Sequence, residues 1–313
     1  MQAHDTRRRH TTAKRFALAL AGMLVLLLLW GVLIEPRLLV VKREVAAVPD
    51  LPPAWEGQRV ALFADLQIGM WLGNPDTGRR AVRRLLADRP AAVLIAGDFL
   101  QSADQDTDSL IAEAVGIVRP LPAAGIPTYA VLGNHDYSLN RRGDPENGRM
   151  ARTLAAALAQ AGIRVLQNEA VALPTPSSPA GASADALYLV GIGSHWAGED
   201  HPQAALAQLP PGQPHLVFMH NPASFREIAA GRAPVAFAAH THGGQVRIPF
   251  TPNWTWLSWV RGERVYADGW TPPSDGAPGN RLYINRGLGM SEVPVRINCR
   301  PELTLFTLRR AGR

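Results

Sequence analysis

The chain has 313 residues, enough for one large domain or two small ones, and its single cysteine, Cys299, excludes an intrachain disulfide framework. The formal net charge of +6 arises at the N-terminal end, because residues 1–43 contain eight Lys or Arg and two Asp or Glu, whereas the remainder contains 24 of each sign. A remainder without net charge, whose basic side chains are scattered, is not typical of nucleic-acid binders. We therefore expect no nucleic-acid partner.

The first element in chain order is an uncharged apolar segment of 19 residues, Phe16 to Ile34. At a rise of about 1.5 Å per residue, a helix of this length crosses the roughly 30 Å hydrocarbon layer of a bilayer. A cleaved signal peptide and a buried core helix are the alternatives. Against cleavage, Glu35-Pro36-Arg37 follows the segment in place of a small-x-small site. The predicted division is a basic N-terminal tail over 1–15, a transmembrane anchor over 16–34, a linker over 35–55 and one domain over 56–313. Within the linker, residues 38–53 are predicted to form a short strand followed by a Pro-bearing connection.

The basic residues on the two sides of this segment indicate its orientation. Five precede the segment, and three, Arg37, Lys42 and Arg43, follow it. Because positive charge is retained on the cytoplasmic side, this imbalance favours a cytoplasmic tail and a periplasmic domain. The three basic residues after the segment leave the opposite orientation open.

Beyond residue 55, short apolar runs alternate with amphipathic stretches. The pattern predicts strands over 59–64, 91–96, 128–132, 163–166 and 187–192 and near residues 216, 235, 282 and 303. It predicts helices over 77–88, 108–118, 149–161 and 224–230. Such an order of elements is typical of an α/β domain with mixed sheets flanked by helices. The Pro-, Ser- and Ala-rich residues 173–184 are predicted to form an exposed loop.

Five polar motifs follow directly after apolar runs. In chain order they are Asp65-Leu66-Gln67, Gly97-Asp98, Gly133-Asn134-His135-Asp136, His220 and His240-Thr241-His242. They offer carboxylate, amide and imidazole ligands without a thiolate, which suits Mn, Fe or Zn. Because an α/β sandwich opens its cleft at the strand ends, we expect these motifs to form one site.

In their order and residue identities these motifs resemble those of the calcineurin-like metallophosphoesterase superfamily, whose pattern is D-x-H, G-D, G-N-H-[DE], a lone H and G-H-x-H. The likeness is greatest to a membrane-anchored bacterial subgroup, through Ile34-Glu35-Pro36, Asn285-Arg286-Gly287-Leu288-Gly289, Pro294-Val295-Arg296 and Cys299-Arg300-Pro301-Glu302. The resemblance implies a four-layer αββα sandwich after one N-terminal transmembrane helix. With the basic flank, it predicts a single-pass protein of a bacterial inner membrane.

The resemblance also implies a role for each motif residue. Two divalent metal ions, Mn, Fe or Zn, are expected, with Asp98 bridging them, and the implied ligands are Asp65, Gln67, Asp98, Asn134, His220, His240 and His242. His135 is the implied catalytic residue that stabilises developing charge or protonates the leaving group, and Asp136 is implied to orient or assist its imidazole. Arg286 is a candidate for holding phosphate, because a guanidinium matches phosphate oxygens, and a structural role for it is equally open.

The sequence departs from the superfamily pattern at Gln67, in place of His, and at Ala239, in place of Gly. Alanine is tolerated unless that position needs a positive φ. The neutral amide of Gln67 is a weaker ligand than an imidazole, so we expect lower affinity at the first metal. A D-x-Q opening also occurs in a branch resembling Mn-dependent ADP-ribose and CDP-alcohol diphosphatases. We therefore interpret Gln67 as tuning metal choice, with loss of activity as the alternative.

Together these features predict a metal-dependent phosphoric ester hydrolase acting on a phosphodiester or diphosphate bond. Its expected partners are a lipid bilayer, contacted through residues 16–34, and a phosphoester substrate, lipid-linked in one interpretation because tethering raises the effective concentration of such a substrate. The alternatives are a catalytically impaired membrane protein that uses the fold for partner binding, and a cyclic-nucleotide phosphodiesterase. The sequence leaves the oligomeric state open.

Three tryptophans lie beyond the last motif. Trp254, Trp256 and Trp259 are predicted to pack in the core or to meet the membrane interface.

Overall fold

The computed structural model describes residues 2–101, 106–176, 186–250, 255 and 266–312, with side chains from Thr12 onward. Two six-stranded sheets form its centre. In spatial order, the first contains β1 (Val40–Val48), β12 (Glu302–Arg310), β2 (Arg59–Phe63), β3 (Ala92–Ala96), β4 (Thr128–Val131) and β5 (Arg164–Val165). The second contains β10 (Gly269–Trp270), β11 (Leu282–Ile284), β9 (Ala236–Ala238), β8 (His215–Phe218), β7 (Tyr188–Gly191) and β6 (Glu169–Ala172).

Both sheets are mixed. In the first, β2 to β5 run parallel, and β12 is antiparallel to β2. In the second, β7, β8, β9 and β11 run parallel, and the edge strands β6 and β10 are antiparallel to their neighbours. The parallel strands at the centre of each sheet therefore end at a common edge, where the loops can meet.

The helices of the described residues are α1 (Gln2–Leu29), α2 (Pro75–Asp88), α3 (Thr107–Val118), α4 (Pro120–Ala123), α5 (Gly148–Gln160) and α6 (Pro202–Leu206). Helices α2 to α5 cover the outer face of the first sheet, and α6 lies on the outer face of the second, whereas the described side chains of α1 are exposed. Helix α2 begins at Pro75, where the missing N–H costs no hydrogen bond, and α5 begins after Asn147, whose side chain accepts a hydrogen bond from the amide of Met150.

Alternation along the strands divides the core into three layers. In β2, Ala61 and Phe63 pack with α2, α3 and α5, whereas Val60 and Leu62 pack against the second sheet. The outer face of the second sheet packs against α6 and the turn around Phe225. The order of layers is therefore helices, sheet, sheet, helices, which confirms the predicted αββα sandwich with mixed sheets.

The N-terminal apolar segment is helical. Thr12–Arg37 is the one helix, among the described residues, that is long and apolar enough to cross a membrane, and almost all of its apolar stretch is exposed. Its last turns change to a π-helix over Trp30–Ile34 and a 3₁₀-helix over Glu35–Arg37. The structure thus contains the predicted helix, and its relation to a membrane is a proposal taken up below.

The segment 35–55, predicted as a linker with a short strand, contains that strand as β1, which is the edge strand of the first sheet and pairs in parallel with β12 over nine residues. This segment therefore packs with the domain, and the boundary at residue 56 stays a prediction. The helix expected near 224–230 is a 3₁₀ turn, Pro222–Glu227, and the short elements α4, α6, β6 and β10 were not predicted. Trp254, Trp256 and Trp259 lie outside the described residues.

Candidate metal centre

The motif residues lie at the carboxyl ends of neighbouring strands. Asp65, Asp98 and Asn134 follow β2, β3 and β4 of the first sheet, and His220 and His240 follow β8 and β9 of the second. The two sets meet across the sandwich. The Nε2 atom of His220 lies 3.1 Å from the Oδ2 atom of Asp98. The tertiary structure therefore brings the five predicted motifs to one place.

Several of these residues have a left-handed backbone. The φ angle is 54° at Asp65, 50° at Gln67, 54° at Asp98, 72° at His240 and 50° at His242. A positive φ is unfavourable for a residue with a Cβ, and residues of this kind cluster at functional sites. The sharp turns that they form direct consecutive polar side chains into one cleft.

Glycines and one alanine fit these turns for different reasons. A Cβ at Gly133 would collide with the carboxylate of Asp98, and a Cβ at Gly287 would collide with that of Asp65. Ala239 has no positive φ, unlike the residue that follows it. The replacement of the pattern glycine by Ala239 therefore introduces no backbone strain.

The ligand atoms form two clusters that share one carboxylate. Asp98, His220 and His240 offer atoms that lie within 4.8 Å of one another, and so do Asp65, Asp98 and His242. A carboxylate common to two such clusters is suited to bridge two cations. The shared residue is Asp98, which the sequence predicted as the bridge.

The chemistry of the buried atoms fits cations. Both carboxylate oxygens of Asp65 and the side-chain amide oxygens of Gln67 and Asn134 are buried without a hydrogen-bond partner. A buried polar atom that lacks a partner costs about 1–3 kcal/mol. All four atoms are acceptors, so divalent cations held between them would remove this cost.

Gln67 reaches the first cluster. Its Nε2 atom donates to an Asp98 oxygen at 2.9 Å and lies 3.4 Å from the Nε2 atom of His242. Rotation of the amide about its terminal bond exchanges the nitrogen and the unpartnered oxygen, since the two occupy equivalent positions. The side chain therefore has the length and direction needed to offer oxygen beside Asp98 and His242.

His135 lies beside the clusters but belongs to neither. Its ring Nε2 is 3.1 Å from the hydroxyl of Ser291, and its backbone amide donates to Asp98 at 3.0 Å. Sequence reasoning missed Ser291, because no local pattern marks a serine that reaches this ring from a distant loop. Its only signal is its position just after the Asn285 to Gly289 motif.

Asp136 has other partners than the imidazole of His135. Its carboxylate accepts hydrogen bonds from the backbone amides of Asp98, Gly133 and Leu100 at 2.9, 2.9 and 3.1 Å. These bonds hold together the loops that follow β3 and β4. The idea that Asp136 orients or assists His135 stays a prediction.

Arg286 is ion-paired. Its guanidinium contacts Asp268 at 2.6 and 2.8 Å and lies 3.3 Å from a carboxylate oxygen of Glu302. Two acidic partners give this side chain a structural function, and its proposed contact with phosphate stays a prediction.

Arg296 is a second residue whose role sequence reasoning missed. Its fully buried guanidinium donates to the carbonyls of His242, Arg286 and Gly289 at 3.2, 2.9 and 3.0 Å. It therefore fixes the turn that carries His242 against the loop that packs on Asp65. A buried charge of this kind is stable only when its donors are satisfied, as they are here by backbone oxygens.

The buried charges shift one another's protonation. Burial opposes the charged imidazole of His220, but the negative charges of Asp98 and Asp65 outweigh it and raise the pKa of His220 to about 9. Burial raises the pKa of Asp65 to about 8, with a further contribution from Asp98. Burial also acts to raise the pKa of Asp98, yet the charges of His220 and His135 hold it below its ordinary value.

This fold and this site define a metallophosphoesterase, and the comparison with known proteins agrees. The family model described as calcineurin-like phosphoesterase matches residues 58–244. The chain therefore belongs to the calcineurin-like phosphoesterase family, and it is a hydrolase of phosphoric esters.

Individual relatives carry more specific names. The chain is 33% identical to phosphodiesterase YaeI of Escherichia coli (strain K12), over 71% of this chain and 72% of that protein. It is 23% identical to UDP-2,3-diacylglucosamine pyrophosphatase LpxG of Chlamydia trachomatis, over 90% and 93% of the two chains. It is also 23% identical to the metallophosphoesterase YkuE of Bacillus subtilis, over 88% and 87%. These relatives support hydrolysis of phosphoester and diphosphate bonds.

Metal uptake at neutral pH should release protons. Without metal, His220 and Asp65 have pKa values of about 9 and about 8 and hold protons at pH 7, whereas a metal ligand must be deprotonated. We expect release of about 1–2 protons per chain at pH 7 and tighter binding as the pH rises toward 9. Calorimetric titration with Mn²⁺ in buffers of different ionisation enthalpy measures this number. Binding at pH 7 without proton release would contradict the assigned ligands.

Replacement of Gln67 by histidine should strengthen the first metal site. An imidazole is a better donor than a neutral amide, so Gln67→His should raise the affinity of the weaker site for Zn²⁺ by at least about tenfold. Elemental analysis after dialysis against a graded chelator measures the occupancy. Gln160→His, at the exposed end of α5, is the matched control and should change nothing. Equal occupancy in all three proteins would show that Gln67 does not contact the metal.

Proposed function

We propose that this metallophosphoesterase is anchored to a membrane and uses two divalent metal ions to hydrolyse a phosphodiester or diphosphate bond, with a lipid or nucleotide-linked lipid as the substrate. The observation that carries the proposal is the position of Asp98 in both ligand clusters. Two divalent cations, when bound, neutralise charge on the phosphoryl oxygens and make water a stronger nucleophile at neutral pH.

The proposed ligand sets follow the two clusters. Asp65, Gln67 and His242 hold one ion together with Asp98, and Asn134, His220 and His240 hold the other with the same carboxylate. His220 is oriented for this role, because its Nδ1 atom lies 2.7 Å from the carbonyl of Ala96 and its Nε2 atom faces Asp98. A histidine whose second nitrogen donates to a carbonyl is fixed in the tautomer that binds a metal.

His135 is the proposed proton donor. Its backbone amide holds Asp98, which keeps the imidazole next to the clusters without making it a ligand. A ring in this position is able to protonate the oxygen of the leaving group as the phosphorus–oxygen bond breaks. Ser291 contacts the ring Nε2 and positions it.

The proposed substrate class has two supports. The relative LpxG is named for a lipid-linked diphosphate, and YaeI is named as a phosphodiesterase. The N-terminal helix, if it spans a bilayer, keeps the site close to substrates in the same membrane, which raises their effective concentration. The reach of Gln67 into the first cluster favours an active enzyme over an impaired protein that only binds partners.

The proposed location is the inner membrane of a bacterium, with the domain in the periplasm. Five basic residues precede the apolar segment and three follow it, so the stronger basic flank is N-terminal. That flank would stay in the cytoplasm.

The metal-reconstituted full-length protein should hydrolyse diesters and diphosphates, bis-p-nitrophenyl phosphate and UDP-diacylglucosamine among them, faster than p-nitrophenyl phosphate.

Two substitutions should separate the proposed roles. Asp98→Ala removes the shared carboxylate and should abolish both metal binding and turnover. His135→Ala should keep its metals and lower kcat by about 10²- to 10⁴-fold, as loss of a general acid does. Metal content and initial rates are the measurements.

Asp108→Ala and His201→Ala, both at exposed positions, are the matched controls and should behave like the parent protein. Loss of metal from His135→Ala would place this residue among the ligands. A protein that binds two metals and hydrolyses none of these substrates would support the impaired alternative, and a preference for cyclic AMP would support the cyclic-nucleotide alternative.

Reporter fusions should locate the domain. With alkaline phosphatase fused after Arg313, colonies should show phosphatase activity, whereas a fluorescent protein that folds only in the cytoplasm should stay dark at the same position. Removal of residues 1–37 from both fusions should reverse the two signals, because the fusion then has no segment to direct its export. The reversed pattern in the full-length fusions would place the site in the cytoplasm.

A further inference from the structure

A cavity of about 440 Å³ lies where the apolar helix meets the domain. Leu27 and Trp30 of the helix line one side. Arg286, Asn298 and Arg300, from the loops near the metal centre, line another. The cavity therefore combines an apolar wall with a polar one that holds two guanidinium groups, and the carboxylate of Glu35 also lines it.

The helix is fixed to the domain at this point. The carbonyl of Gly31 accepts a hydrogen bond from the amide of Arg296 at 2.9 Å, and a Cβ at Gly31 would lie only 2.7 Å from the side chain of Ile297. The carbonyl of Pro36 accepts a hydrogen bond from the hydroxyl of Thr77 at 3.1 Å. These contacts set the position of the cavity at the domain end of the apolar helix, which is the level of lipid head groups if that helix crosses a bilayer.

The charges around the cavity leave one cation without a partner. The carboxylate of Glu35 accepts hydrogen bonds from the indole of Trp30, at 2.7 Å, and from the amide of Cys299. Arg286 is paired with Asp268. Arg300 is exposed and has no ion pair or hydrogen bond within the part of the chain that the structure describes. A ligand with a negative charge near an apolar chain would satisfy both walls.

The cavity also adjoins the metal centre. Arg286 lines the cavity, and the next residue, Gly287, packs against the carboxylate of Asp65. The two sites therefore share one loop. The guanidinium of Arg296 holds this loop by donating to the carbonyl of Arg286. An occupant of the cavity would stabilise the loop that supports the first ligand cluster.

We propose that this cavity binds an anionic phospholipid, with the phosphate at Arg300 and the first part of an acyl chain against Leu27 and Trp30. Basic pockets beside membrane helices bind anionic head groups, and an indole suits the boundary between head group and chain. A neutral lipid leaves Arg300 without a counter-charge, and inorganic phosphate makes no use of the apolar wall. The inference rests on the proposed anchoring and is independent of which substrate is hydrolysed.

The test is a binding titration of the full-length protein in a non-ionic detergent. The probes are dihexanoyl phosphatidylglycerol below its micelle concentration, dihexanoyl phosphatidylcholine and glycerol phosphate, and native mass spectrometry counts the bound molecules. We expect one saturable site for phosphatidylglycerol, at least about tenfold tighter than for either other probe. Arg300→Glu should weaken that site by at least about tenfold, and Arg300→Lys should retain it.

Arg83→Glu is the matched control, because Arg83, on helix α2, is also exposed and without a described ion pair and does not line the cavity. It should leave lipid binding unchanged. The metal content of each variant shows that it has folded, and it makes this test independent of turnover. Equal binding of the two lipids, glycerol phosphate binding as tightly as phosphatidylglycerol, or binding that survives Arg300→Glu would each overturn the proposal.

Discussion

The buried carboxylate of Asp98 is the constraint on which the site depends. One oxygen accepts a hydrogen bond from the amide of His135, and the other lies close to His220 and Gln67. An isolated buried carboxylate is costly, so it has to be neutralised from the opposite sheet as well as from its own. His220 supplies that compensation only when the two sheets pack face to face. The packing of the two sheets therefore brings the candidate ligands together, and metal ions would replace the proton that His220 and Asp98 otherwise share.

A second set of interactions connects the apolar helix with the same centre. Arg296 donates from its backbone to Gly31 and from its guanidinium to the carbonyl of Gly289, which lies next to the loop that supports Asp65. Glu35, at the end of the helix, holds the amide of Cys299. The helix end is thus part of the packed domain instead of a flexible tether. A few hydrogen bonds therefore join the helix end to the loops of the candidate metal centre.

The motifs predicted the residues of the site better than they predicted the partners of those residues. Asp98 was predicted as a bridge from its motif, and its place in both clusters agrees with this idea. Asp136 and Arg286 illustrate the limit, because the motif gives the residue but not its partners. Asp136 holds three backbone amides, and Arg286 pairs with Asp268. Asp268 belongs to no motif, so no local pattern was able to indicate this pairing.

The sequence by itself determined the order of most of the elements and the identity of the candidate ligand residues. Each motif directly follows an apolar run, and such a run forms a buried strand whichever partner it finds. Only the tertiary structure decided which side chains meet. The contacts of His135 with Ser291, of Asp98 with His220 and of Arg296 with Gly31 join residues from distant parts of the chain. These contacts depend on the way the two sheets and the helix end pack, and a local pattern contains no information about that geometry.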